Sequence, residues 1–504
     1  MKRYFLITAL AMLTFFAQAQ FAEDALRFSQ VYWQGTARSM ATGSAFGGLG
    51  ADFLNASTNP GGMGVYRSYA FSVTPEIFVR STSSVYNGTP TDANRSMFDL
   101  SNLGYVMTKK IGRGGRGWKY YQISLGMNRL NNFNGSRLMQ GMNDDNSRID
   151  VYIEETWDML DNYVGFDEIY DYDPFYLGPA WDTYLLDTLT FEGDFYITSP
   201  VPAGGILQTQ SIETKGSTNE WLASFSANFD DIIYVGFTLG LPYIRYFRQS
   251  VYTETDPNDV DPGFNRWSVE ENLRTNGWGV NAKLGILIRP VDFIRVGLAY
   301  HTPTYYWNMR DYWNTVTYAD VYTVSTGEWF AGSYQSPDGE YRYKMTTPMR
   351  AIGSLSFVIS DFGFITGEYE YVNYGSSKFK SSGNVLDSEN DIINNSFIAT
   401  HNFRLGTEWR IGKISLRGGY ALYPSPYADN LNDGARQNIT AGIGVQFNSL
   451  KLDFAYVHST SDEDYYMYDY ANYNYDPPIT VQTNAVENTI RNQHFAVSLR
   501  YFFD

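Results

Sequence analysis

Apolar and polar positions alternate along most of the chain with a period of two. In the last segment Phe495, Val497, Leu499, Tyr501 and Phe503 share one face of an extended chain, and Ala496, Ser498, Arg500 and Phe502 share the other. Ile294, Val296, Leu298 and Tyr300 alternate with Arg295, Gly297, Ala299 and His301. Ile439, Ala441, Ile443, Val445 and Phe447 alternate with Thr440, Gly442, Gly444 and Gln446. One face is oily and the other is small or charged. A soluble sandwich also alternates, but its outward face would carry more Lys, Glu and Thr than these glycine-rich faces do. Read this way, the pattern predicts fourteen strands, at 69–80, 98–110, 118–134, 220–229, 232–254, 264–289, 293–314, 341–359, 362–379, 399–410, 413–423, 435–447, 450–468 and 489–504. Connections alternate between short (Ile111–Gly117, Asp230–Asp231, Pro290–Asp292, Ser360–Asp361, Ile411–Gly412, Asn448–Ser449) and long. An even strand count with short turns on one side and long loops on the other is the signature of a membrane-spanning barrel. The short turns then face the periplasm, and the longest strands, near 232–289, extend beyond the bilayer on the outside.

Composition supports an all-β chain. Of 504 residues, 17% are aromatic and 45 are glycine, a bias toward strands and tight turns. The absence of cysteine rules out disulfides, thiolate metal sites and a thiol nucleophile. A net charge of −17 disfavours nucleic acid as a partner. At the N-terminus, Lys2 and Arg3, an apolar run from Tyr4 to Phe16 and Ala17-Gln18-Ala19 form a signal peptide over residues 1–19. No later stretch is long and apolar enough for a spanning helix. The fold class is therefore an all-β, 14-stranded antiparallel transmembrane β-barrel over 69–504, in the outer membrane of a Gram-negative-type bacterium.

Residues 20–68 do not alternate, and residues 35–64 contain eight glycines. Fourteen strands enclose a lumen too wide for wall side chains alone to fill, so this segment is expected to be a hatch packed inside the barrel. Asn59-Pro60-Gly61 is expected to make a fixed turn there, since Pro60 sets its own φ and biases Asn59 to extended geometry, leaving the Asn59 amide to bond backbone groups. Gly35-Thr36-Ala37-Arg38-Ser39-Met40-Ala41, Ala45-Phe46, Leu49-Gly50-Ala51-Asp52 and Asn59-Pro60-Gly61-Gly62-Met63 resemble the N-terminal hatch of the FadL/TodX family, outer-membrane transporters of long-chain fatty acids and other hydrophobic compounds. The family pattern ends in Asn-Pro-Ala, where this chain has Gly61. The resemblance implies a monomeric barrel plugged by its hatch, capture of substrate among extracellular loops, a second site in the upper lumen, and lateral escape beside an inward-kinked third strand.

The residues nominate places for these steps. Gly and Asn weaken regular pairing, so the third strand is expected to bend at Gly126–Asn132, with Gly126, Asn128 and Asn131 at the opening. In the long extracellular loop 135–219, residues 141–200 hold fifteen acidic residues against one basic, Arg148. Ile149, Ile153, Trp157, Leu160 and Val164 fall at helical spacing behind Ser147 as N-cap, and Trp157, Leu160 and Val164 are the candidate capture groove. A carboxylate cargo would be repelled by this loop unless it met a base such as Arg148, so neutral hydrophobics are as well suited as fatty acids. Asp144 with Asp145, or Asp171 with Asp173, lack the spacing of a calcium loop. The four histidines sit in four different segments, so no metal, cofactor or catalytic group is expected. Charges opposite the oily faces, at Lys283, Arg295, Glu368, Glu370, Arg404, Glu408, Arg417 and Arg500, are expected in the lumen, because a lipid-facing Arg or Lys near mid-bilayer costs roughly 2–4 kcal/mol. The expected partners are a hydrophobic small molecule or lipid, together with outer-membrane lipid and lipopolysaccharide. Two other readings stay open: a haem receptor using loop tyrosines (Tyr465, Tyr466, Tyr468, Tyr470, Tyr473, Tyr475), and a non-transporting surface protein or general porin.

Overall fold

A computed structural model describes residues 14–111, 116–191, 194–258, 261–323, 325–381, 386–428, 432–472 and 479–503. The first thirteen residues of the expected signal peptide, most of the first short turn, and Tyr473 and Tyr475 lie outside the described residues.

Alternation converts directly into a closed antiparallel wall. Its strands are β1 (Tyr69–Tyr86), β2 (Thr89–Lys110), β3 (Trp118–Asn132) with its continuation β4 (Gly135–Asn143), β5 (Ile206–Phe229), β6 (Ile233–Thr255) and β7 (Phe264–Val291). There follow β8 (Ile294–His301) continued by β9 (Tyr305–Thr323), β10 (Gly339–Thr346) continued by β11 (Arg350–Ile359), and β12 (Gly363–Asn373) continued by β13 (Lys378–Lys380). The circuit ends with β14 (Ala399–Ile411), β15 (Ile414–Tyr423), β16 (Arg436–Phe447), β17 (Leu450–Tyr465) and β18 (Val486–Phe503), and β18 pairs with β1 from Tyr69↔Phe503 to Val85↔Glu487. Counting each interrupted strand once, fourteen strands close the barrel, each overlapping one predicted segment. Closure removes the free edge that an open sheet would present.

The two faces differ as predicted. Phe237, Leu239, Leu284, Leu298, Leu355, Leu405, Leu416 and Ile443 are exposed on the outside, between a lower rim of Trp118, Phe229, Phe293 and Trp409 and an upper rim of Trp221, Tyr243, Trp278 and Tyr300. Lys283, Glu368, Glu370, Arg404, Glu408, Arg417 and Arg500 are buried on the opposite face, and Arg295 reaches inward to the Leu49 carbonyl. β6 and β7, at 23 and 28 residues, run well beyond the roughly 10 residues that cross a bilayer.

Loop 135–219 differs from its expectation at both ends. Gly135–Asn143 is strand, paired with Ile206–Thr214, so β5 begins fourteen residues before the predicted 220. The resulting hairpin rises above the wall because it covers one apolar cluster, in which Tyr86, Met139, Ile206, Tyr252, Trp267 and Val321 are buried together with loop residues.

Candidate functional site

Three features share the barrel interior: the hatch, a break in the wall, and an apolar cluster above them. The hatch is entered through a helix, α1 (Thr14–Ser29), whose first six residues fall in the expected signal peptide, and then runs extended to α2 (Ala37–Met40), α3 (Asn55–Thr58) and a 3₁₀ turn, Pro60–Val65. It is bonded to side chains around the circuit. Trp33 Nε1 donates to Glu370 at 2.9 Å, Gly47 N to Glu368 at 2.7 Å, Ser57 Oγ to Glu220 at 2.9 Å, and Arg38 Nε to Glu408 at 2.9 Å. Those carboxylates are shared with wall cations: Glu220 with Lys283, Glu370 with Arg350 and Arg404, and Glu408 with Arg417. Each of these buried carboxylates is thus paired.

Asn59 lies where the turn was expected. Its Nδ2 donates to the carbonyls of Gly47, at 2.7 Å, and Ile286, at 3.1 Å, while its Oδ1 accepts from Gly61 N at 3.1 Å, capping the turn that Pro60 opens. Gly61 serves close approach rather than flexibility. A Cβ there would lie 2.9 Å from both Ile286 Cα and the Tyr234 carbonyl oxygen.

The wall is interrupted between β2 and β3. Pairing runs from Lys110↔Tyr120 up to Asn102↔Asn128 and stops, so Thr89–Ser101 of β2 has no partner in β3. Above that rung the alternation in β3 also stops: every residue from Met127 to Gly135 is buried. The strand has folded inward, where both of its faces are covered. Its backbone bonds are re-made there, with Tyr32 N donating to Leu130 O at 2.8 Å and Gln34 N to Arg129 O at 3.3 Å, while a bulge at Arg129–Asn131 keeps it on β5. Gly126 is still paired, opposite Gly104, and both lack a side chain because Phe53 of the hatch lies on that rung, with ring atoms 2.3–2.5 Å from where their Cβ atoms would be. Asn128 takes the last rung, accepting from Asn102 Nδ2 at 2.7 Å and donating to Ser57 Oγ at 2.9 Å; Asn131 donates to Gln30 O at 3.3 Å. Arg129 crosses the break to Asp99 of β2 at 2.8 Å, with Glu76 of β1 3.6 Å away.

Above the break, α1 packs with α4 (Asp387–Ser396) over Phe28, Phe133, Tyr246, Tyr306, Met309 and Ile393. Phe28 meets Phe133 and Tyr246 edge-on at 5.9 and 6.0 Å. Sequence reasoning missed this cluster, because its members come from elements far apart in the chain. The only local trace was aromatic residues on the inner face of strands too long for the bilayer.

The loop helix Ile149–Asp161 forms, and besides Ile149 of the predicted stripe it buries Val151, Tyr152, Thr156 and Met159, a face turned from the rest of that stripe. Trp157 is 36% exposed, edge-on to Phe195 at 6.3 Å, and Leu160 and Val164 are half-buried against the loop cluster. These three therefore line the flank of a packed loop core rather than an open cleft. Ser147 Oγ accepts from Ile149 N at 3.1 Å, the capping bond expected of Ser147, and Ser147 N donates to Asp150 at 3.0 Å. Arg148 is spoken for, donating to Glu271 at 2.7 Å. Asp173 accepts from the backbone N–H groups of Phe175, Tyr176 and Leu177, a structural use of its carboxylate. Among the described residues no group of three or more His, Asp or Glu is placed to hold a metal ion. Tyr468 is buried, its hydroxyl donating to Asn146 at 2.7 Å.

No protein-family model and no curated protein sequence matches the chain. Solved structures do match over almost its whole length. A FadL homologue of Pseudomonas aeruginosa superposes at a TM-score of 0.52 with 13% identity, covering 94% of this chain and 99% of that one. The Pseudomonas putida toluene transporter TodX superposes at 0.51 with 11% identity, covering 94% and 100%. CymD, a monoaromatic hydrocarbon channel, superposes at 0.50 with 12% identity, covering 94% and 98%. At such identities the likeness is one of fold, and the chain has the FadL/TodX barrel fold.

Proposed function

We propose that this protein is an outer-membrane transporter for the passive uptake of hydrophobic compounds, which enter from the extracellular side and leave sideways through the wall. The observation that carries the reading is the interrupted β2–β3 seam in a barrel filled by its hatch. An oily solute gains little from a water-filled pore. A useful route offers apolar contact, worth about 25 cal/mol per Å² buried, and then returns the molecule to lipid. The cluster of Phe28, Phe133, Tyr246 and Tyr306 offers that contact, and the half-buried inner face of β2, with Ala93 and Met97, lines the way out. The fold shared with TodX and CymD supports the same reading. Trp157 and Leu160 flank the proposed entrance, and long-chain fatty acids and neutral hydrocarbons are both candidate cargo, carried by a monomer.

The test is uptake of labelled oleate and of a neutral hydrocarbon into proteoliposomes. Both or one should enter several-fold faster than into empty vesicles, and Trp157→Asp with Leu160→Asp should slow uptake without unfolding the barrel. Uptake no faster than in empty vesicles would contradict transport; an unaffected double variant would move the entrance elsewhere.

A further inference from the structure

The chain carries 54 acidic against 37 basic residues, yet one part of its outer surface reverses that balance. On β6 and β7 the outward faces are apolar up to an aromatic rung, Tyr243↔Trp278, whose rings lie 4.6 Å apart. Such rungs sit at the headgroup level of a bilayer. The next outward rung reads Arg245 on β6, Asn276 on β7, Arg310 on β9 and Arg342 on β10, all in register. Arg274 lies one rung higher on β7, and Lys344 of β10 faces Lys380 of β13. All six cations are on the exposed or half-exposed outer face.

Among the described residues little neutralises them. The one acid on these rungs, Glu340, pairs with Arg342 at 2.5 Å. Arg245 and Arg274 both lie over the Phe247 ring, at 4.9 and 5.4 Å, and Arg310 donates to the Asn308 amide oxygen at 3.1 Å. Arg310 directly opposes Arg342, and Lys344 directly opposes Lys380. Like charges facing across a ladder repel, and an anion seated over two such pairs side by side would relieve that repulsion. Five neighbouring strands at about 4.8 Å spacing spread the cations over about 19 Å, too wide for one small ion. Arginine forks and lysine ammonium groups together suit phosphate oxygens. The long loops place this surface on the outer leaflet side.

We infer that the outer face of β6–β13, just above the aromatic rung, is a binding site for a lipid of the outer leaflet that carries two or more phosphate groups. The inference rests on the orientation of the barrel in the membrane and not on its cargo, so a barrel that fails the uptake test can still pass this one.

The purified full-length protein, titrated with bisphosphorylated lipid A in detergent and followed by native mass spectrometry, should bind it at least tenfold more tightly than phosphatidylethanolamine, with monophosphorylated lipid A between the two. The R245Q/R310Q/K344Q/K380Q variant should bind at least tenfold more weakly than wild type, with heat-modifiable gel migration as the check that it is folded. E340Q, which removes the one acid, should bind more tightly than wild type, and K344Q alone more weakly, so these two decide the matter if the quadruple variant does not fold. Equal binding by wild type and the folded variants would overturn the site. Inorganic phosphate binding as tightly as lipid A would also overturn it, because the surface would then hold a free anion rather than a lipid.

Discussion

Two hairpins of the same wall behave differently. Between β14 and β15 every residue from Phe403↔Leu422 to Ile411↔Ile414 is paired, whereas between β2 and β3 pairing ends at Asn102↔Asn128 with thirteen residues of β2 still to come. Both begin from the same alternation of oily and small or polar residues. The difference lies inside. On the inner face of β14, Glu408 pairs with Arg38 of the hatch and with Arg417 of β15, so an ion pair ties the hatch to an intact wall. Facing β3 is hatch backbone at Tyr32 and Gln34, which offers the strand an alternative set of hydrogen bonds. A β-strand leaves its neighbour only when its backbone groups find partners elsewhere, and here the hatch and β5 supply them.

The largest test of that contrast is deletion of Gln20–Met63. It should raise single-channel conductance at least tenfold and speed hydrogen exchange in Arg129–Asn132 of β3, while exchange in β14 and β15 changes much less. Equal acceleration at both seams would show that the hatch does not select the break. Next, Glu370→Gln leaves Arg350 and Arg404 short of a carboxylate in the lumen, and should lower the unfolding free energy by about 3–5 kcal/mol in urea, without opening the β2–β3 seam further. Asn128→Ala removes a buried amide from the last β2–β3 rung and from Ser57 and should cost about 1–3 kcal/mol, with faster exchange confined to that seam.

The smallest effect is one of pH, in the extracellular loop. Burial raises the Asp150 carboxyl from 3.8 to about 6, helped by the nearby Glu254 and opposed by its bond from Ser147 N. The folded loop therefore binds a proton more readily than the unfolded one between about pH 4 and 6. The cost of burying the ionised group is present above pH 6 and is relieved as pH falls through 6. Limited proteolysis at 149–182 should slow modestly from pH 7.5 to pH 5, and Asp150→Asn should flatten that dependence.

Much of this was legible in the sequence, for reasons that are themselves physical. A period of two is a property of each strand alone, so the wall and the inward charges at Arg404 and Arg500 can be read locally. The Asn59-Pro60 turn is equally local, since Pro60 fixes φ whatever surrounds it. The direction of Gly126 and Gly104 was not legible, because their lack of a side chain answers to Phe53, which is distant in sequence. The loop helix was placed within a residue of its start, yet its buried face was misjudged. Tyr152, Thr156 and Met159 turn inward because Tyr252 and Trp267 wait on β6 and β7, and no pattern within the helix carries that information.

The most direct measurement of the central claim, sideways exit at β2–β3, is uptake by two single-cysteine variants of this cysteine-free chain before and after labelling with a bulky maleimide. Met97→Cys lies on the half-buried inner face of β2, in the stretch that pairs with β1 but not with β3, and Leu405→Cys lies on the lipid-facing side of the intact β14–β15 seam. Labelling at 97 should reduce uptake of the hydrophobic cargo to the rate of empty vesicles, while labelling at 405 leaves it unchanged. Wild-type uptake with position 97 fully labelled would contradict exit through this seam.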